Sequence, residues 1–248
     1  MAVSPLGALH VAVSWLTVAP LPQPRAEMDR RTGGAAIAAV PVVGALLGCV
    51  AASAAFGLSF TRLPDLLIGV LVVALLALST RGMHLDGLAD TADGLGCYGD
   101  PEGVRAVMRS GDVGPFGAAT LTVVLAVQAI GFSTLSADHS WPQIVFAVAL
   151  GRVAVVYGCR RGLDAANADG FGALVAGTQR WSTVAWTVVA FGAAWPLGVR
   201  AVCAVPAVVL FTVLFTAHCR RRMGGVSGDV LGAVVELSTA VAAVLLIV

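Results

Sequence analysis

The chain is short of charge, and it has no lysine at all. Only 12% of its 248 residues are charged, about half the roughly 25% of an ordinary soluble domain, and that scarcity excludes a soluble enzyme. A disordered chain, a collagen-like repeat and a nucleic-acid-binding surface are excluded with it. Cysteine is sparse: Cys49, Cys97, Cys159, Cys203 and Cys219 form no close pair. They read as small core hydrophobes in a reducing setting. The first residues lack a basic head and a small-residue cleavage site, so no cleaved signal peptide is expected.

What the chain has instead is apolar residue, 58% of it, gathered into long runs. Thr32–Thr61 is 30 residues without a charge and Val113–Ala137 is 25, each beyond the roughly 20 that cross a bilayer. Trp181–Val199 and Ala201–Ala217 are parted only by Arg200, and Leu66–Thr80 continues past Arg81 through Gly82 and Met83. Ser140–Cys159 is interrupted only by Arg152, and Val230–Val248 only by Glu236. Seven spans are predicted. Leu6–Ala19, closed by Pro20, Pro22 and Pro24, is too short to cross and suits an interfacial or re-entrant helix. The expected fold is an all-α, polytopic membrane protein of one domain, residues 1–248. Residues 1–32 form the N-terminal interfacial segment, and 33–248 the bundle with its catalytic loops.

Threading the spans in turn segregates the arginines. Twelve fall on one side (Arg25, Arg30, Arg31, Arg81, Arg105, Arg109, Arg160, Arg161, Arg180, Arg220, Arg221, Arg222), and only Arg62 and Arg200 on the other. The positive-inside rule puts the twelve in the cytoplasm, with the N-terminus inside and the C-terminus outside. Most aspartates follow them, although acids contribute little to topology. The inner loops therefore hold the chemistry.

Arg81-Gly-Met-His-Leu-Asp-Gly-Leu-Ala-Asp-Thr-Ala-Asp-Gly sets Asp86, Asp90 and Asp93 at i, i+4 and i+7. On a helix they share about 60° of arc, while His84 points the other way. No arginine between Gly82 and Val104 offsets their repulsion. A solvated acidic face is the plain alternative. Three aspartates beside a bilayer make better sense if a hard cation neutralises them, and Mg²⁺ is favoured because it leaves positions for phosphate oxygens. His84 is read either as a polar structural contact or as a catalytic group.

Two more inner loops run through glycine into a membrane helix. Met108-Arg-Ser-Gly-Asp-Val-Gly-Pro-Phe-Gly presents backbone N–H groups at Gly111, Gly114 and Gly117 that would suit an anion, with Arg109 able to fork onto a phosphate. Met223-Gly-Gly-Val-Ser-Gly-Asp-Val-Leu-Gly follows three arginines and leads to Asp229 and Glu236, seven apart on one helical face. A carboxylate at the depth of Glu236 is costly unless paired or facing a polar cavity. The same holds for Arg152, read as its partner or as a phosphate ligand. Carboxylates, helix-start N–H groups and guanidinium groups together suit metal-assisted phosphoryl transfer.

The stretch His84-Leu-Asp-Gly-Leu-Ala-Asp-Thr-Ala-Asp-Gly-Leu-Gly resembles the signature of the cobalamin synthase family, the adenosylcobinamide-GDP ribazoletransferases. Leu16-Thr-Val-Ala-Pro-Leu-Pro, Val40-Pro-Val-Val-Gly-Ala-Leu-Leu-Gly and Gly224-Gly-Val-Ser-Gly-Asp-Val-Leu-Gly-Ala are similar to further segments of that family, in the same order. The resemblance implies an Mg²⁺-dependent enzyme of the bacterial cytoplasmic membrane that joins adenosylcobinamide-GDP to α-ribazole or its 5′-phosphate and releases GMP. It implies attack on phosphorus by the ribazole 5′-oxygen. It places Asp86, Asp90, Asp93 and Asp229 in metal binding; Glu236 joins the metal candidates by its depth in the last span, and Asp86, Asp90, Asp229 and His84 are the catalytic candidates. Arg81, Arg109, Asp112, Gly114, Arg152, Gly225 and Ser227 fall to substrate binding. The lipid bilayer is an expected partner, nucleic acid is not, and a homo-oligomer is left open. The chain departs from the family pattern at Ser110, where the family has an acid, at Asp112, where an acid is new, and at Asn167, where an arginine is usual. A CDP-alcohol-type phosphotransferase is the second reading, but Asp86-Gly-Leu-Ala-Asp lacks that family's arginine. A cation transporter is the third, and the chain lacks the two matching halves that would favour it.

Overall fold

The computed structural model describes residues 4–22, 24 and 28–248. Arg25, one of the twelve arginines assigned inside, lies outside the described residues. The apolar runs become helices because a backbone among lipid and apolar side chains can satisfy its N–H and C=O groups only within its own segment. Among the described residues there is no strand, only isolated bridges between Arg160 and Gln179 and between Ala165 and Val226.

Helix α1 (Pro5–Leu16) is capped by the Ser4 hydroxyl, which accepts from the Gly7 N–H at 3.1 Å. At about 18 Å it is too short to cross, and it packs along α2 (Arg30–Ser59). After α3 (Asp65–Ser79) come α4 (Met83–Gly96), α5 (Pro101–Met108), α6 (Pro115–Ala137) and α7 (Trp141–Gly158). Short α8 (Gly170–Val175) precedes α9 (Trp181–Ala194), α10 (Val199–Met223) and α11 (Gly228–Ile247).

Five helices, α2, α6, α7, α10 and α11, are long and apolar enough to cross a membrane, and α3 with α4 makes a sixth only as a pair bent by 94°. Helix α9, 14 residues or about 21 Å, falls short of a core about 30 Å thick. It reaches further through a 3₁₀ turn, Trp195–Leu197, that walls the same cleft as Trp141 at the start of α7. The seven predicted spans are thus five or six by length. A charge-free run does not mark where the helix inside it stops. The run from Trp181 is broken at Pro196 and Gly198, the latter at φ +98°, and the run from Leu66 at Arg81 and Gly82.

That second break positions the site. Arg81 at φ +56° and Gly82 at φ +68° are left-handed, a conformation natural for glycine and uncommon for arginine. The Gly82 N–H donates to the Ala77 carbonyl at 2.8 Å and closes α3. Helix α4 then leaves the bundle axis, and we read it as lying across the bundle's end, outside the spanning segments. Helix α7 is the central post, with α2 on one side and α11 on the other. Glycine allows the approach: a Cβ on Gly48 would stand 2.8 Å from the Val145 Cα, and one on Gly44 2.8 Å from the Arg152 Cβ. Small residues let membrane helices meet at backbone distance in this way.

Candidate active site

Helix α4 passes directly over the start of α11. A Cβ on Gly87 would lie 2.7 Å from both the Cα and the carbonyl oxygen of Asp229, so only glycine lets the two backbones touch. Asp86 and Asp90, one turn apart on α4, are thereby brought to Asp229 in the first turn of α11. Ser227 caps α11, accepting from the Val230 N–H at 3.3 Å, and its hydroxyl donates to Asp229 Oδ2 at 3.1 Å, which orients that carboxylate. Burial first, and then the charges of Asp86, Asp229 and Asp93, together push the Asp90 carboxyl up to about 6. None of these carboxylates has an arginine within salt-bridge reach; among the described residues the only Arg–carboxylate pair is Arg220–Asp164, at 2.9 Å.

Asp93 has a different task. Its Oδ2 accepts from the Gly114 N–H at 2.7 Å and its Oδ1 from the Gly117 N–H at 2.9 Å. The helix start read as an anion site thus holds an anion of the chain itself. Gly114 is the N-cap of α6 and has no side chain of its own to cap with, so Asp93 supplies the cap from α4. A Cβ on Gly114 would stand 2.5 Å from Asp93 Oδ1, and one on Gly117 would collide with the same carboxylate.

A cavity of about 760 Å³ opens beside Asp86 and Asp229, walled by α1, α2, α4, α7, α8 and α11. Asp86 is exposed at its lip, while His84 and Arg152, 7% and 4% exposed, are sunk in its wall. His84 faces α11, with its Nδ1 3.8 Å from Glu236 Oε1, too far for a hydrogen bond. The Gln128 amide of α6 donates to Glu236 Oε2 at 2.8 Å. Arg152 makes only long contacts, to the Val148 carbonyl at 3.4 Å and the Thr239 hydroxyl at 3.5 Å. Its Nε and His84 Nδ1 have no hydrogen-bond partner among the described residues. Glu236 therefore belongs to a buried polar group one to two turns below the aspartates.

The other predicted site residues frame this centre. Arg81 lines the cavity and donates to the Trp15 carbonyl at 3.2 Å, tying α1 to the bend. Arg109 donates to Asn167 Oδ1 at 3.2 Å, so the position that departs from the family pattern is bonded to a predicted phosphate-binding arginine. Asp112 is exposed in the turn before α6. Gly225 permits a close loop contact, its Cβ position being 2.5 Å from the Ala166 nitrogen. Residues 164–166 and 226 then exchange backbone hydrogen bonds, Val226 N–H to Asp164 O at 2.9 Å and Ala166 N–H to Val226 O at 3.0 Å. Sequence reasoning missed Gln128, and it missed Trp15 and Phe171, whose rings meet edge to face at 5.4 Å on the cavity wall. It also missed the cap, whose one signal was a helix start with no Ser, Thr or Asp of its own.

Among the described residues no group of three or more His, Cys, Asp or Glu side chains stands close enough together to hold a metal ion. The donor set still fits Mg²⁺, which takes one or two carboxylates and keeps its other positions for water and phosphate oxygens. Asp86, Asp90 and Asp229 are hard oxygen donors from two elements, and their mutual repulsion is uncompensated.

A bundle of membrane-crossing helices with Asp86 and Asp229 at the lip of a deep, mostly apolar cavity, and Asp90 one turn along α4, is the frame of a polytopic membrane transferase. The family described as cobalamin-5-phosphate synthase matches residues 8–247, and the chain belongs to that family. Relatives named adenosylcobinamide-GDP ribazoletransferase occur in Corynebacterium efficiens (37% identical, covering 94% of this chain and 88% of the relative) and Frankia casuarinae (37%; 93% and 91%). One from a Nocardioides species is 40% identical, over 94% and 95%. No solved structure matches.

Proposed function

We propose that this chain joins adenosylcobinamide-GDP to α-ribazole or its 5′-phosphate and releases GMP, with Asp86, Asp90 and Asp229 holding Mg²⁺. The observation that carries this reading is the convergence of Asp86 and Asp90 from α4 on Asp229 of α11, imposed by the contact at Gly87. In the reaction a ribazole hydroxyl oxygen bonds to the phosphorus nearer the cobinamide, the bond from that phosphorus to the bridging oxygen breaks, and GMP leaves. The hydroxyl proton passes to a carboxylate of this cluster.

The attacking oxygen is not the 5′ one. A family described as making a cobalamin 5-phosphate yields a product whose 5′ position is occupied, so a ring hydroxyl of the ribose attacks. The expectation of 5′ attack is corrected accordingly.

Mg²⁺, when bound, supplies charge neutralisation for the diphosphate and polarises the phosphorus under attack. Ser227 orients Asp229, Asp93 locks α4 to α6, and the walls of α2, α7 and α11 keep water from the buried side. We place the carboxylate end in the cytoplasm of a bacterial membrane, on the strength of the arginine partition. The test is GMP release by purified protein in detergent. It is expected only with both substrates and Mg²⁺ present; no GMP under those conditions overturns the reading.

A further inference from the structure

The end of α7 and the end of α10 leave a second pocket between them, of about 440 Å³. Helix α10, 25 residues or about 38 Å, outruns a hydrocarbon core about 30 Å thick, so its last turn stands at headgroup level. Arg160 and Arg161 come directly after the cap of α7 at Cys159. Gln179 is tied to that turn, its carbonyl accepting from the Arg161 N–H at 2.7 Å. Two residues on, Trp181 is 70% exposed, with the Arg180 guanidinium 5.0 Å from its ring centre. An exposed tryptophan at a helix end marks the boundary between lipid and water.

Four arginines line this pocket: Arg160, Arg161, Arg220 and Arg221. Among the described residues a single carboxylate offsets them, that of Asp164 at 2.9 Å from Arg220. Arg160 donates to the Thr216 hydroxyl at 2.7 Å and to the Tyr157 carbonyl at 3.0 Å. Those neutral acceptors fix its place on the floor and leave its charge unbalanced. Arginines just outside the pocket use their donors within the protein, Arg105 on the Met223 carbonyl at 2.8 Å and Arg222 on the Cys97 carbonyl at 2.6 Å. Arg161 and Arg221 are exposed, and no carboxylate of the described residues is within salt-bridge reach of either. The positive-inside rule accounts for the side on which arginines fall. It does not account for four around one hollow, where like charges repel.

A second observation says what the missing anion is attached to. Leu210, Leu214, Ala217 and Arg221 recur at i, i+4, i+7 and i+11, one face of α10. Leu210 and Leu214 are 58% and 60% exposed, and Ala217 and Arg221 wall the pocket. In a bilayer such a stripe meets acyl chains, and here it leads about 16 Å up to the guanidinium groups. A soluble phosphate would use the pocket and leave the stripe unused. A zwitterionic lipid would bring an ammonium group to a wall of arginines. An anionic phospholipid brings a phosphodiester whose two free oxygens match the guanidinium fork, and basic pockets between membrane helices hold such headgroups. The pocket shares no lining residue with the cavity beside Asp86 and Asp229.

We propose that the pocket between α7 and α10 holds the phosphodiester of an anionic phospholipid, gripped by Arg161 and Arg221 above Arg160, with an acyl chain along Leu214 and Leu210. The site is separate from the carboxylate centre and stands whichever reaction that centre carries out.

The test is native mass spectrometry of the detergent-purified full chain, offered phosphatidylglycerol or phosphatidylethanolamine with the same acyl chains. Wild type is expected to retain phosphatidylglycerol about tenfold more strongly, the scale set by a pair of arginines on an anionic headgroup. Replacing both arginines, Arg161→Gln with Arg221→Gln, should bring the two lipids level. Arg200→Gln, in the first turn of α10 at its other end, should leave the preference as it was. Inorganic phosphate or GDP at millimolar concentration should not displace the bound lipid. Equal retention of the two lipids by wild type would overturn the proposal, as would a preference that survives the double replacement or falls equally with Arg200→Gln. Displacement by phosphate or GDP would overturn it too, by assigning the pocket to a soluble phosphate group. The wild-type comparison and the competition need no variant, so a misfolded variant leaves the question decided.

Discussion

Asp86 and Asp93 lie seven residues apart on one helix and serve opposite ends. The first is exposed at the cavity lip with no partner, and the second spends both oxygens on the start of α6. Asp86→Asn and Asp90→Asn are expected to lower GMP release by about two orders of magnitude or more, as loss of charge stabilisation at a reacting centre does. Membrane accumulation and detergent elution should stay normal, and unchanged turnover in both variants would refute their role. Asp93→Asn should instead lower the thermal midpoint, since a charge-assisted cap contributes on the order of 1 kcal/mol. Asp90 also sets a pH dependence. Its folded value of about 6 lies above the ordinary 3.8, so protonation favours the folded state. That stabilisation is full below about pH 4 and is lost as pH rises through about 6. Metal-free protein should therefore melt lower at about pH 7.5 than at about pH 5. Asp90→Asn should flatten the difference, and Mg²⁺ should offset it at the higher pH. Spacing along the chain grouped Asp86 and Asp90 with Asp93, and paired Asp229 with Glu236. The task of Asp93 was hidden because it depends on where α6 docks, which no local pattern encodes.

At the scale of elements, the site is made by one bend and one contact. Left-handed residues at Arg81 and Gly82 turn α4 across the bundle, and Gly87 seats it on α11. Gly87→Ala is expected to cost about 1–3 kcal/mol, as overpacking a tight contact does, and to lower kcat more than tenfold by displacing Asp86 and Asp90 from Asp229. Gly57, whose Cβ position meets nothing within 4 Å, is the control: Gly57→Ala should change neither quantity. If Gly87→Ala matches wild type in both, the contact does not position the site. The helices themselves were readable as apolar runs, since run length is what a bilayer selects. Their ends were not, because Pro196, Gly198 and the Arg81–Gly82 pair interrupt a helix without adding a charge that a run-length reading would register.

For the whole molecule, the arginine partition predicts a single orientation. In a chain whose five cysteines are replaced, Ser110→Cys before α6 should be protected from a membrane-impermeant maleimide in intact cells. Ser140→Cys before α7 should be labelled. The reverse pattern would turn the proposed site to the wrong side. Amino-acid order alone determined the class of protein, the paired acids of α4, the acid of α11 and the family, because hydropathy, charge placement and motif spacing are properties of neighbours along the chain. Only the folded bundle decided that Asp93 is a cap, that Glu236 bonds to Gln128 rather than joining the aspartates, and that Arg152 is buried with its Nε unpartnered. Those outcomes hang on side chains over a hundred or tens of residues apart meeting in a low-dielectric interior, where each polar atom must find whatever partner the packing brings within reach.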